Sequence, residues 1–189
     1  MRLTDLNILL ASSSPRRREI LSMVGVNFRV VRAKAEEKLY STPVETAVKN
    51  AEQKVLSVKN ELKDGEVALS ADTIVVLGDE ILGKPESKEE AVEYLKRLSG
   101  RWHTVITGFA LLFPNGKLIS SFEESRVKFK RLSPEEIEWY VSTGEPLDKA
   151  GAYGIQGIGA LLIERIDGDF FNVMGLPISR IYDILILES

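Results

Sequence analysis

One aspartate stands inside an otherwise apolar stretch. Val67-Ala68-Leu69 and Ile74-Val75-Val76-Leu77 flank Ser70-Ala71-Asp72-Thr73. Aliphatic and β-branched residues at this density read as buried strand. A carboxylate there costs free energy unless something pairs with it. The plain reading is that Asp72 caps a strand end or pairs with a surface lysine. Gly78-Asp79 predicts a hairpin turn, Glu80-Ile81-Leu82 returns antiparallel, and Gly83-Lys84-Pro85 closes the unit with a cation. A second chemical signal is Ser12-Ser13-Ser14-Pro15-Arg16-Arg17-Arg18, which follows an apolar run over residues 7–11. Ile20, Leu21 and Val24 then recur at helical spacing, with Ser14 suited to the N-cap and Pro15 to the first helical position. A strand feeding a serine-rich turn into a helix start makes an anion site, because free N–H groups and the helix dipole both favour negative charge. Cations in a first turn oppose that dipole. A bound phosphate would explain three arginines there, and so would a solvated basic helix start.

Other candidates are scattered. Glu36-Glu37 lie in an aperiodic stretch over residues 33–41. Lys54 lies on a helix expected from the Thr42-Pro43-Val44-Glu45 capping box to about Asn60, with Ala47, Val48, Ala51 and Val55 as its core stripe. Glu123 and Glu124 lie in a strand whose alternation puts them on opposite faces. The chain has no cysteine and a single histidine, His103, which excludes disulfides, thiolate metal sites and a multi-histidine zinc site. A metal would have to be a hard cation held by oxygen, magnesium or manganese. Net charge is −3, giving no support to a general nucleic-acid or membrane surface. No run is long enough to span a membrane and no signal-peptide pattern opens the chain, so a soluble cytoplasmic protein is expected.

The elements that would position these residues alternate. With 189 residues, 44% of them hydrophobic, the chain fits one domain or two closely packed lobes. A strand is expected near Phe28, a capping box at Ser87-Lys88-Glu89-Glu90 opens a helix, and Ser99-Gly100 stops it. A long strand over residues 102–113 turns at Asn115-Gly116 and returns over 117–130. Ser133-Pro134-Glu135-Glu136 opens another helix. The glycine-rich run 150–159 lacks the Gly-Lys-Ser/Thr of a Walker loop, so its glycines read as sites of close backbone approach. A strand over residues 161–166 and a final helix over residues 178–187 complete the chain.

Six motifs occur in order: Ala11-Ser12-Ser13-Ser14-Pro15-Arg16-Arg17, Ser70-Ala71-Asp72-Thr73, Gly83-Lys84-Pro85, His103-Thr104-Val105-Ile106-Thr107-Gly108, Gly154-Ile155-Gln156-Gly157 and Gly168-Asp169-Phe170 with Gly175-Leu176-Pro177. Together they resemble the Maf family of nucleoside triphosphate pyrophosphatases, over nearly the whole chain. The resemblance implies an α/β fold similar to the inosine triphosphatase family, a bent mixed sheet flanked by helices, with two lobes about a central cleft in a single domain spanning residues 1–189. It implies hydrolysis of a nucleoside triphosphate to the monophosphate and pyrophosphate with a divalent metal, and often a homodimer. Asp72 matches the family's proton acceptor. Ser13, Ser14, Arg16 and Arg17 would clamp phosphates, Lys54 and Lys84 would add cationic contacts, and Glu36, Glu37 and Glu123 are candidates to complete a metal site with Asp72. His103 is expected to be structural.

The family divides into a branch acting on dTTP and UTP and a sibling acting on 7-methyl-GTP. Arg16, Thr73 and Gln156 look like the pyrimidine branch. A glutamine amide offers one donor group and one acceptor, matching the adjacent N–H and carbonyl of uracil or thymine; alternatively Gln156 bonds local backbone. The rival expectation is a regulatory nucleotide-binding protein affecting septum formation with little turnover.

Overall fold

A computed structural model describes residues 5–188. The chain divides into two compact units, one of Met1–Asp72, Thr107–Glu123 and Gly175–Ser189, the other of Thr73–Ile106 and Glu124–Met174. Strands are hydrogen-bonded in the order β2-β1-β3-β5-β6-β7, with β4 added to β3. The sheet is mixed: β1 (Asn7–Leu10) runs parallel to β2 (Asn27–Val30) and to β3 (Glu66–Leu77), β4 (Glu80–Leu82) is antiparallel to β3, and β7 (Ile163–Asp167) is antiparallel to β6 (Leu118–Phe129).

In the first unit, α1 (Pro15–Met23) follows β1 and α2 (Pro43–Leu56) precedes β3. Leu10 stands opposite both Val30 and Leu69, so β1 is the central strand of a parallel trio. Every residue of β3 is buried except half-buried Thr73, as expected of a strand covered on both faces. The core is Leu9, Ala11, Ala51, Val55, Val58, Ala68, Ala110 and Leu112. Its α2 contributions are small, and β5 (Trp102–Leu112) meets the helix backbone directly. A Cβ on Gly108 would lie 2.3 Å from the Ala47 carbonyl carbon and 2.5 Å from the Val48 nitrogen. Gly108 is thus the residue that lets α2 settle onto its strand. The last helix, α6 (Ile178–Leu187), buries Ile178, Ile181 and Leu185.

In the second unit the β3–β4 hairpin turns at Gly78, whose φ of 63° is left-handed. Helix α3 (Lys88–Leu98) is capped by Ser87, and α4 (Pro134–Ser142) carries a reciprocal capping box between Ser133 and Glu136. Thr42 caps α2 through the Glu45 N–H. Leu82, Leu95, Leu98, Val127, Phe129, Tyr140 and Tyr153 fill the core.

Three expectations shift. Helix α2 stops at Leu56, and Asn60 falls in a separate 3-10 turn, Lys59–Glu61. The strand expected from Leu161 begins at Ile163, because Gly157–Leu162 coil into a 3-10 turn entered through Gly157 at φ 69°. The short helix α5 (Phe170–Met174) has too few residues to leave a periodic signal. Among the described residues no helix is long and apolar enough to cross a membrane.

Candidate active site

Asp72 lies three residues beyond Leu69, the last β3 residue paired with β1, where parallel strands deliver their carboxyl ends and open α/β sheets hold ligands. It is 5% exposed. Its Oδ1 accepts from Lys54 Nζ at 2.7 Å and its Oδ2 from Asn50 Nδ2 at 3.3 Å. Lys54 Nζ also donates to Glu37 Oε1 at 2.8 Å and the Ala71 carbonyl at 3.5 Å. One ammonium therefore serves two carboxylates. Burial pushes the Asp72 pKa up; Lys54 opposes the shift and Glu37 adds to it.

Helix α2 builds this arrangement. Thr46, Asn50 and Lys54 recur every four residues beside the apolar stripe of Ala47, Ala51 and Val55. Thr46 Oγ1 accepts the Tyr40 N–H at 2.9 Å. Asn50 accepts the Lys38 N–H and donates to the Lys38 carbonyl, both at 2.9 Å. The aperiodic segment 33–41 is thereby strapped onto the polar face of α2. Within it, Glu37 meets Lys54, while Glu36 lines a surface basin of about 460 Å³ with Lys34, Lys38 and Tyr40. Adjacent residues of an extended segment point opposite ways, and this separates the acidic pair. Asn50 escapes a reading by residue type, yet a buried asparagine one helical turn before a lysine was its signal.

The serine–arginine turn is partly internal. Ser14 sits at the N-cap of α1, but its hydroxyl makes no capping bond. Ser12 Oγ instead accepts the Ser14 N–H at 3.2 Å and Arg17 Nη1 at 3.1 Å. Arg17 is buried, and its Nε donates to the Gly175 carbonyl at 2.8 Å. Burial lowers its guanidinium pKa to about 10 against the attraction of Asp72. Arg18 donates to the Ser13 carbonyl at 3.3 Å. Two of the three arginines therefore have partners that need no phosphate, and half-buried Arg16 beside exposed Ser13 is where the anion argument remains sharpest.

Glu123 stands 4.0 Å from Arg180. Among the described residues no three acidic or histidine side chains gather as a metal site, so Asp72 and Glu37 are the two carboxylates that converge. Thr73, Lys84 and Gln156 belong to the second unit. Thr73 is half-buried on β3, Lys84 is exposed beyond β4, and half-buried Gln156 is extended (φ −90°, ψ 162°) at the entry to the 157–162 turn. His103 is buried, its Nε2 2.6 Å from Tyr153 Oη, and burial lowers its pKa to about 4. It stacks edge-on with Phe129 and Tyr153 as neutral scaffold.

The fold is that of the Ham1 proteins. The structure of a HAM1 protein from Coxiella burnetii matches with a TM-score of 0.55, covering 97% of this chain and 100% of that one, at 17% identity. Sequence defines the narrower group. The chain belongs to the Maf-like protein family, whose model matches residues 7–187. A dTTP/UTP pyrophosphatase of Aquifex aeolicus (strain VF5) is 51% identical over 181 residues, 95% of this chain and 94% of that protein. One of Clostridioides difficile (strain 630) is 49% identical over 183 residues, 95% and 94% of the two chains.

Proposed function

We propose that this protein hydrolyses nucleoside triphosphates, dTTP and UTP foremost, to the nucleoside monophosphate and pyrophosphate. The observation that carries the reading is the 51% identity, over 95% of the chain, to a protein named for that activity. The Asp72 cluster suits the chemistry. Water attacks the α-phosphorus, the bond to the bridging oxygen breaks, and pyrophosphate leaves with that oxygen. Asp72 accepts the proton of the attacking water. Lys54 and Asn50 hold one carboxylate oxygen each, so Asp72 is oriented before substrate arrives. Ser13, Ser14, Arg16 and Arg17 are assigned to the phosphates, and Thr73, Lys84 and Gln156 to further substrate contacts on the family resemblance. The same resemblance supports one catalytic domain over the whole chain, a homodimer and a cytoplasmic setting.

Two carboxylates converging on one cationic nitrogen are a donor set that suits magnesium or manganese, which bind through one or two carboxylates together with substrate phosphates and water. Asp72 and Glu37 would hold the ion, with Glu36 and Glu123 as outlying candidates. Bound there, it would neutralise charge developing on the phosphates.

The test is pyrophosphate release from dTTP, UTP, CTP, GTP and 7-methyl-GTP, with and without divalent metal. Hydrolysis of dTTP and UTP above the rest, lost with chelator and restored by magnesium or manganese, is expected. Preference for 7-methyl-GTP would move the chain to the sibling branch, and nucleotide binding without turnover would favour the regulatory reading.

A further inference from the structure

Gln156 carries an ambiguity that its own chemistry cannot resolve. Its amide offers one donor group and one acceptor, so it matches the N3–H and carbonyl of uracil. Turned by half a revolution, it matches the N3 acceptor and amino donor of cytosine equally well. Selection of uracil over cytosine therefore needs something that holds the amide one way round.

The second unit braces the backbone of the loop that carries Gln156. Glu145 Oε1 accepts from Tyr140 Oη at 2.9 Å and from the Gly159 N–H at 2.9 Å, and Oε2 accepts the Ile158 N–H at 3.0 Å. Tyr140 Oη in turn accepts the Gly154 N–H at 3.3 Å. The backbone two residues before Gln156, and two and three residues after it, thus ends on one Tyr–Glu pair. The fit is close. A Cβ on Gly159 would lie 2.0 Å from the Gly154 carbonyl oxygen and 2.7 Å from Tyr140 Oη, and one on Gly157 would lie 2.9 Å from Glu145 Oε2. Tyr140 is fully buried, and burial together with the Glu145 bond raises its pKa, so it stays a donor at neutral pH. Hydrogen bonds to an ionised carboxylate are among the stronger ones. Phosphoanhydride hydrolysis gives no task to this carboxylate, whereas loop geometry does.

We infer that Glu145, supported by Tyr140, is a positioning residue for base selection: it fixes the 154–159 loop so that Gln156 presents its amide in the orientation that accepts uracil and rejects cytosine. The inference rests on Gln156 meeting the base. Glu145→Gln replaces one acceptor oxygen with a donor that opposes a backbone N–H, and Tyr140→Phe removes only the hydroxyl.

The experiment measures kcat and KM for UTP and CTP on the wild type, Glu145→Gln, Tyr140→Phe and Gln156→Glu, with circular dichroism to establish folding. Glu145→Gln should lower the UTP-over-CTP ratio of specificity constants about ten-fold, mainly through KM for UTP, with kcat at saturating UTP within about two-fold of wild type. Tyr140→Phe should shift the ratio the same way by about three-fold, and it carries the test alone if the glutamine variant does not fold. An unchanged ratio, or an equal fall for both nucleotides, overturns the inference while leaving the Gln156 assignment standing. An unchanged ranking in Gln156→Glu removes that assignment and the brace's role with it, and a wild type without hydrolysis removes the proposed function itself.

Discussion

Both units bury polar side chains, but of different kinds. In the first, Arg17, Lys54 and Asp72 are charged groups drawn out of water and held by one another, by Asn50 and by backbone carbonyls. In the second, the fully buried polar groups are neutral. Asn172 Nδ2 donates to the Val105 carbonyl and Ser125 Oγ, Ser125 donates to the Asp169 carbonyl, and His103 meets Tyr153. Removing charge from water costs far more than removing a hydrogen-bonded neutral group. The first unit therefore carries electrostatic work that packing does not require, while the second uses polarity to fix which strands and turns meet. The proposed division, with the reacting chemistry in the first unit and the reading of the base in the second, follows this contrast.

Asp72→Asn breaks the contrast hardest. It keeps the shape and removes the buried charge, so turnover should fall by about two to four orders of magnitude, as for loss of a catalytic base. Because burial raises the Asp72 pKa, its charge opposes folding at neutral pH, and the variant should be no less stable than wild type. UTP turnover and urea unfolding on the same preparations check both halves. Near-normal turnover would show the buried charge to be scaffold after all.

His103 tests the other side. Its pKa falls from an ordinary 6.5 to about 4 in the fold. Between those values the unfolded chain binds the proton and the folded chain does not. Stability should therefore fall as pH drops from about 6.5 to about 4, by about 3 kcal/mol at most, and level off below. Glu66, held near about 2 by its bond to Arg29, contributes a separate loss as pH falls through 4.5 towards 2. Urea midpoints across this range should show the upper step in wild type and lack it in His103→Phe. Persistence of the step would mean that another group carries it.

The smallest effect sharpens the division of labour. Gln156→Glu should reduce the UTP and dTTP specificity constants roughly ten- to hundred-fold and raise relative use of guanine-type substrates, because a carboxylate accepts from two adjacent donors. The metal concentration needed for half-maximal activity should not move. If it did, the reading and reacting roles would not be separable by unit.

Much of this was legible because local signals agreed. The apolar density around Asp72 marks β3, Gly78-Asp79 marks the hairpin, and the Thr42, Ser87 and Ser133 caps mark the starts of α2, α3 and α4. Helix ends and 3-10 turns were less legible, since they depend on tertiary partners. The turn at Gly157–Leu162 is held by Glu145, a residue whose sequence context reads only as loop. Asn50 and Ser12 were obscured for a related reason, as their importance lies in what they hold, Lys38 and Asp72 for one and Arg17 for the other. The split between Glu36 and Glu37 needed the path of the 33–41 segment, which no periodicity encodes.

The bond from Arg17 to the Gly175 carbonyl spans 158 positions of the chain. Its consequence concerns synthesis. On the ribosome, β1 and α1 emerge early, and the Asp72–Lys54 pair can close once β3 is out. The guanidinium of Arg17 has no Gly175 acceptor until residue 175 has been made. A nascent chain that stops short of Gly175 thus has Asp72 paired with Lys54 but an incompletely anchored serine–arginine turn, so that turn settles after the carboxylate does.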